Sequence, residues 1–338
     1  MPPKIRPKGL FFLYESIETV KAGVNGCAAV LLPKRFTELH RKMSLPENLA
    51  YAELIAVLVA VTDNEPRVMT IGAGEALPSG PFETSHRSLQ SGLRAWIESQ
   101  TGHPVGYLEQ LYTFADRDRA TEAASAAPHT RHISIGYLGL VREQAALGAG
   151  RPEWHSWYEY FPWEDHRERR PELLNHITER LLVWAGEDVT RRQRVEFLFG
   201  LNGLLWNEDL VLQRYELIYE AQLEKEPGFG RQMAGDHRRI LATGITRLRA
   251  KIKYYPVVFE LMPDSFTLLD LQRMTEALAG LRLHKSNFRR QVDQQNLIEE
   301  TGEMSSETGG RPAKLFRYRP AILEASALSG ARLPYSRH

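Results

Sequence analysis

The chain has 338 residues, enough for two or three domains of roughly 100 to 200 residues each, and its 43% apolar content is that of a globular protein. A single cysteine, Cys27, excludes an internal disulfide framework and a cysteine-based zinc site, and fits a reducing compartment. The net charge of +1 conceals an asymmetry: from Gly230 onward 18 Lys and Arg stand against 11 Asp and Glu, which points to a nucleic-acid-facing end on an otherwise ordinary protein.

Residues 1–48 contain a basic start, a mixed apolar segment and a predicted short helix from Pro33 to Met43. Their apolar runs, Leu10 to Leu13 and Ala28 to Leu32, are far short of the about 20 residues of a membrane span, and no signal-peptide arrangement is present, so the expectation is a cytoplasmic protein. From Leu54 the run LIAVLVAVTD, a turn at Asn64-Glu65-Pro66 and the run RVMTIGAG predict a β-hairpin. A Pro/Gly/Ser loop at Leu77 to Pro81 precedes a helix over Ser88 to Gln100, where Leu89, Leu93, Trp96 and Ile97 recur at helical spacing. Strands are expected at Leu108 to Phe114 and Ile133 to Val141, followed by a Trp- and Pro-punctuated stretch from Trp154 to Trp163. Apolar stripes at Leu173, Leu174, Ile177 and Leu181, then Val195, Leu198, Leu201 and Leu205, then Leu210 to Leu223, predict three packed helices between Pro171 and Glu226. Gly228-Phe229-Gly230 follows no strand, fails as a dinucleotide fingerprint and suggests a hinge. Asp236 to Tyr254 predicts an amphipathic helix that links sensor to reader, with Arg238, Arg239, Arg247, Arg249, Lys251 and Lys253 among its apolar positions.

The block from Pro256 to Pro320 has the pattern of a winged helix-turn-helix. Thr267 is a good N-cap with Asp270 three residues on, Leu271, Met274 and Leu278 form a buried face, and Gly280 ends the helix. A second helix, capped by Ser286, buries Phe288 and Val292 and turns Ser286, Asn287, Arg290, Asp293 and Gln294 outward, with Arg289 at the flank. Arg290 could read guanine bidentately, Asn287 or Gln294 could read adenine, and Lys285 and Ser286 suit phosphate. Leu297 to Glu300 and Lys314 to Tyr318 look like paired strands, with Arg311 and Lys314 as the cations of a basic wing.

These C-terminal residues resemble the Nudix-related transcriptional regulators of bacterial NAD metabolism. The resemblance is carried by LRAKIKYYPVVFELMP, FTLLDLQ, KSNFRR, LIEETGE and GRPAKLFRY, and upstream by YLEQLYTFADRDR from Tyr107 and ISIGYLGLV from Ile133, together spanning about two thirds of the chain. It implies an α+β fold, a Nudix-like α/β sandwich followed by a winged helix, in a homodimer that binds a palindromic operator on double-stranded DNA. It also implies control of NAD biosynthesis genes in response to an adenine or nicotinamide nucleotide.

A working Nudix box needs clustered glutamates to hold Mg²⁺. Registering Leu77 to Gly80 on its loop and Thr101-Gly102 on its end puts Ala95 at the Arg, Trp96 at the first Glu, and Ser99 and Gln100 at the metal-binding pair, leaving Glu98 alone nearby. The expectation is therefore a receptor with no catalytic residue, no metal and no required cofactor. Its candidate ligand residues are Arg67, Gly80, Glu83, Arg87, Trp96, Tyr112, Phe114, Asp116, Arg117 and Arg119. The helical stretch from Pro171 to Glu226 is most similar to the NadQ-type repressors, which implies NAD or ATP as effector ahead of ADP-ribose. The expected division is an N-terminal extension (1–48), a degenerate Nudix-like ligand-sensing domain (49–170), a helical insertion (171–227), a linker helix (228–254), the winged helix-turn-helix (255–320) and a tail (321–338). The rival reading is an active Nudix pyrophosphohydrolase with an accessory nucleic-acid domain. His129-Thr130-Arg131-His132 has two imidazoles three apart but no third ligand nearby, and reads as surface.

Overall fold

The computed structural model describes residues 49–116, 130–143, 148–253, 257–305 and 312–319. Contacts divide the chain into Met1–Glu47 and Asn48–His338, and every described residue belongs to the second unit. The helix expected over 33–43 lies outside the described residues, as do Arg117, Arg119 and Arg311.

Strand β1 (Leu49–Thr62) is the spine of a mixed sheet. Leu54 to Ala60 are all at most 1% exposed, because an uninterrupted apolar run suits a strand covered on both faces. It forms the expected hairpin with β2 (Glu65–Thr70), Thr62 opposite Glu65. The two turn residues, Asp63 and Asn64, have φ of 52° and 62°, a left-handed pair that Asp and Asn tolerate. The Pro/Gly/Ser stretch expected as loop contains a short strand, β3 (Ser79–Pro81), antiparallel to β1. Strands β4 (Tyr107–Phe114), β5 (Thr130–Leu140) and β6 (Glu153–Ser156) complete the order β4-β5-β1-β2-β6, with β5 parallel to β1.

One helix covers each face. Helix α1 (Leu89–Thr101) starts at a reciprocal Ser88–Ser91 capping box and ends at Gly102 in the left-handed region. Its Leu93 and Ile97 pack on Leu54, Ala56 and Leu58. The opposite face, with Ile55, Val57 and Val59, takes the helix expected to be a sensor–reader link, α6 (His237–Ile252). Ile240, Ile245 and Leu248 are buried against the sheet, each contributing roughly 1.5–3 kcal/mol. Gly244 lies so close that an added Cβ would meet Val57 Cγ1 at 2.9 Å. Far from being a solvated basic helix, α6 is a layer of the sandwich.

Between β6 and α6 run α2 (Trp157–Tyr160), a 3-10 turn (Pro162–Glu164), and the three expected helices α3 (Leu173–Ala185), α4 (Val189–Phe199) and α5 (Val211–Glu220). Trp157, Tyr160, Phe161 and Trp163 are fully buried, so the aromatic stretch is the core that joins sheet to helices. The expected hinge is anchored: Phe229 is fully buried, and a Cβ at Gly230 would meet Tyr160 O at 2.3 Å.

The C-terminal module has α7 (Leu268–Ala279), α8 (Lys285–Gln295) and a hairpin of β7 (Ile298–Ser305) and β8 (Ala313–Tyr318). Thr267 and Asp270 form the capping box, and Gly280 ends α7 at φ 72°, as their positions predict. A Phe266–Phe316 bridge ties the hairpin to the start of α7, completing a winged helix-turn-helix.

Candidate nucleic-acid interface and sensor face

Helix α8 buries Phe288 and Val292 at 2% and 1% exposure, and holds Lys285, Ser286, Asn287, Arg289, Arg290, Asp293 and Gln294 outward. The helix begins two residues before the expected position. His284 is the N-cap without a side-chain capping bond, and Ser286 lies inside the first turn with its Oγ 2.9 Å from His284 Nδ1. No acidic residue occupies that turn, which leaves the positive end of the helix available to an anion. Among the described residues, the side chains of Lys285 and Arg289 make no hydrogen bond or ion pair, and that of Arg290 makes only a 3.4 Å contact to Asn287 Oδ1. Donors of this kind on one outward face match the acceptor edges of bases and the oxygens of phosphate.

Glu276, a residue that sequence reasoning did not single out, sets the turn into α8. Its buried carboxylate accepts from Leu283 N and Gln272 Nε2, each at 2.9 Å, and pairs with Arg282 at 3.1 Å. A glutamate otherwise on the buried side of an amphipathic helix was the available signal.

The wing differs from its sequence expectation. Lys314 Nζ lies 2.8 and 3.0 Å from the two oxygens of Glu300, and Arg317 Nε lies 2.6 Å from Glu299 Oε1. The cations of the described strands are thus already paired.

The reader is docked on the 158–167 segment. His166 N donates to Gly280 O at 2.8 Å, Tyr158 OH to Ala277 O at 2.8 Å, and Arg282 Nε to Arg167 O at 2.9 Å. Beneath this seam lies Glu164, 1% exposed. It accepts from Arg214 of α5 at 2.6 and 2.8 Å and from Arg249 of α6 at 2.7 Å, while Arg249 Nε donates to Leu278 O of α7 at 3.0 Å. Burial pushes the Glu164 carboxyl up, but the Arg214 and Arg249 guanidiniums outweigh it and hold the group below its ordinary value. Helices α5, α6 and α7 therefore meet at one carboxylate.

On the α/β domain, Trp96 lies flat against Gly80, where a Cβ would come within 2.4 Å of the indole, and its Nε1 donates to Pro81 O at 3.0 Å. Gln100, which the sequence register expects at a metal-binding position, is committed to backbone: its Nε2 donates to Ser79 O at 2.7 Å and its Oε1 accepts from Ser79 N at 3.1 Å. Glu98 points to solvent, and among the described residues no group of three or more His, Cys, Asp or Glu is arranged to hold a metal ion.

The remaining candidate ligand residues form separate groups. Arg67 pairs with Glu143 at 3.2 Å, and Glu83 and Arg87 are exposed on the loop before α1. Phe114 is buried beneath the Arg239 guanidinium, Asp116 pairs with Arg239 at 2.5 Å, and Tyr112 is 64% exposed.

A polar cluster absent from the candidates lies on the face of β1 that α6 covers. Glu53 Oε1 accepts from Ser79 Oγ at 2.9 Å, and Glu53 Oε2 is 3.7 Å from His132 Nε2. Tyr51 stacks on His132 with ring centroids 5.0 Å apart. His237 Nδ1 accepts from Leu77 N at 2.9 Å, which assigns its proton to Nε2, and burial lowers its pKa and favours the neutral ring. His132, expected on a surface loop, is a half-buried strand residue here. The signal was the odd-numbered face of β1, which turns from Ile55 to polar Glu53 and Tyr51.

Residues 258–318 match the model of the NrtR DNA-binding winged helix domain. Over 106 residues the chain is 36% identical to the ADPR responsive transcriptional repressor NtrR of Acinetobacter baylyi, a match covering 31% of this chain and 41% of that protein. The chain thus spans less than half of that relative's length. The fold is similar to that of Shewanella oneidensis NrtR complexed with a 27mer DNA, with a TM-score of 0.51 and 20% identity over 83% of this chain and 97% of the other. Shewanella oneidensis NrtR without DNA gives a TM-score of 0.50 over the same shares. The architecture is a Nudix-like α/β domain continued by a winged helix domain.

Proposed function

We propose that this chain is a ligand-responsive, DNA-binding transcriptional repressor whose Nudix-like domain receives an adenine nucleotide without hydrolysing it. The observation that carries this reading is α8: within the segment matching a DNA-binding winged helix model, it presents Lys285, Arg289 and Arg290 outward, with no ion pair among the described residues. ADP-ribose is the first effector to test, because the Acinetobacter baylyi relative is named for its response to it, with NAD and ATP as the alternatives. Tyr51, Glu53, Ser79 and His132 join the candidate effector residues, offering a stacking ring pair beside hydroxyl and carboxylate groups that suit a ribose.

The committed amide of Gln100 and the lone Glu98 support binding without cleavage. A ligand that prefers one arrangement of sandwich and reader shifts the population toward it, and the Glu164 seam is the physical contact through which such a preference reaches α7. As a homodimer, the chain would present two copies of α8 to a palindromic operator, with half-sites about 10 base pairs or a multiple apart. The genes controlled are those of NAD synthesis in this reading.

A gel-shift series against the chain's own upstream region and NAD-synthesis promoters, with ADP-ribose, NAD or ATP added in turn, tests the whole scheme. A retarded duplex whose midpoint moves with one nucleotide is expected. Equal binding to every duplex, unmoved by any nucleotide, would sink it. In parallel, incubation with Mg²⁺ and each nucleotide should show no turnover, and product at the rate of a working hydrolase would return the chain to the enzymes.

A further inference from the structure

The cations of the reading module fall into two classes. Those of α8 stand without ion pairs among the described residues, whereas those of the wing strands are matched by carboxylates: Lys314 by Glu300 at 2.8 Å and Arg317 by Glu299 at 2.6 Å. All four of Glu300, Lys314, Glu299 and Arg317 are a third or more exposed, and pairs exposed to this degree contribute little to folding. The hairpin already has other anchors, in its ladder from Ile298–Tyr318 to Ser305–Ala313 and in the Phe266–Phe316 bridge. Stability therefore does not account for the two glutamates.

Their electrostatic effect is larger. A cation that meets a phosphate displaces counterions, and each such contact steepens the fall of log K against log salt by about 0.9. A cation held by a carboxylate can make that contact only by bringing the carboxylate beside the phosphate as well, where repulsion cancels the gain. The wing starts three residues after the end of α8, so its charge acts on any duplex that α8 engages.

We propose that Glu299 and Glu300 are specificity-determining residues of the reader: by holding Arg317 and Lys314 they withhold the wing strands from sequence-independent phosphate binding and leave discrimination to α8. The inference rests on the DNA-binding reading above and deepens it. Glu303, on the same strand and without a side-chain partner among the described residues, supplies a control in which a charge is removed but no cation is released.

The test compares the full-length wild type with the Glu299→Gln/Glu300→Gln double variant and with Glu303→Gln. Fluorescence anisotropy would follow binding to a random-sequence duplex, and to a duplex selected by the wild type from a random pool, between about 50 and 200 mM salt. The double variant is expected to bind the random duplex more tightly at low salt, with a slope steeper by about 1 to 2, and to lose selectivity for the selected duplex. A slope equal to that of the wild type, or an equal steepening in Glu303→Gln, overturns the proposal while leaving DNA binding intact. A wild type that binds neither duplex overturns the DNA-binding reading itself, and this inference with it.

Discussion

Arginine has two different uses on α8 and at the Glu164 seam, and the surroundings of each decide its predicted effect. Arg290 projects from α8 with one long contact to Asn287, so Arg290→Ala should leave the fold unchanged. It should weaken the selected duplex by about 1 to 3 kcal/mol and relax preference at one base position, which a selection from random duplexes would reveal; an equal loss on all sequences would reassign it to phosphate. Arg214 and Arg249 are wholly buried on Glu164. Removing that carboxylate in Glu164→Gln leaves two buried guanidiniums short of their counter-charge, and should destabilise by about 3 to 5 kcal/mol in urea unfolding. His166 lies on the same seam, 4.2 Å from the Trp206 ring, and burial lowers its pKa from 6.5 to about 4 against the opposing pull of Glu164. The unfolded chain therefore binds more protons between those values, so stability is lost as pH falls from about 6.5 toward 4, by up to about 3 kcal/mol. Thermal unfolding midpoints at pH 7 and pH 5 should diverge less in His166→Gln than in the wild type.

At the scale of elements, α6 departs furthest from its amphipathic pattern. Its arginines alternate with apolar residues as on a solvated helix, yet Arg238 is 1% exposed and donates to Tyr160 O at 2.6 Å and to Glu224 O at 3.1 Å among the rings of Phe161, Trp163 and Tyr215. A helix boxed in on this scale has no slack. Gly244→Ala should push α6 off Val57 and cost about 1 to 3 kcal/mol, measurable as a lower urea midpoint at unchanged slope. The start of α7, by contrast, was legible from Thr267 and Asp270, and its end from Gly280, because caps act within one turn of chain. Gly280 is demanded twice, by φ 72° and by Glu164 O, which an added Cβ would meet at 2.4 Å.

For the whole molecule, the insertion that the sequence leaves without a role is part of the seam, since α5 supplies Arg214 to Glu164. The α/β domain and the winged helix module are thus joined through the 158–167 segment as well as through α6. Among the described residues no helix is long and apolar enough to cross a membrane.

What the sequence by itself determined are the features written in neighbouring residues. These are the hairpin of β1 and β2, the periodic faces of α1, α3 and α5, the capped start of α7, and the outward donors of α8, whereas Leu201 and Leu205, expected on the stripe of α4, lie beyond its end at Phe199, Leu205 80% exposed. Each depends on spacings of two to four residues, over which backbone geometry alone carries the information. The tertiary structure alone decided which charges are spent and which polar groups converge. Glu164 finds its arginines 50 and 85 positions away, and Leu77 finds His237 at 160. The wing cations are silenced by glutamates across a hairpin. Charge counted along a chain cannot distinguish a paired side chain from a free one, because pairing is set by strand register and helix packing rather than by order.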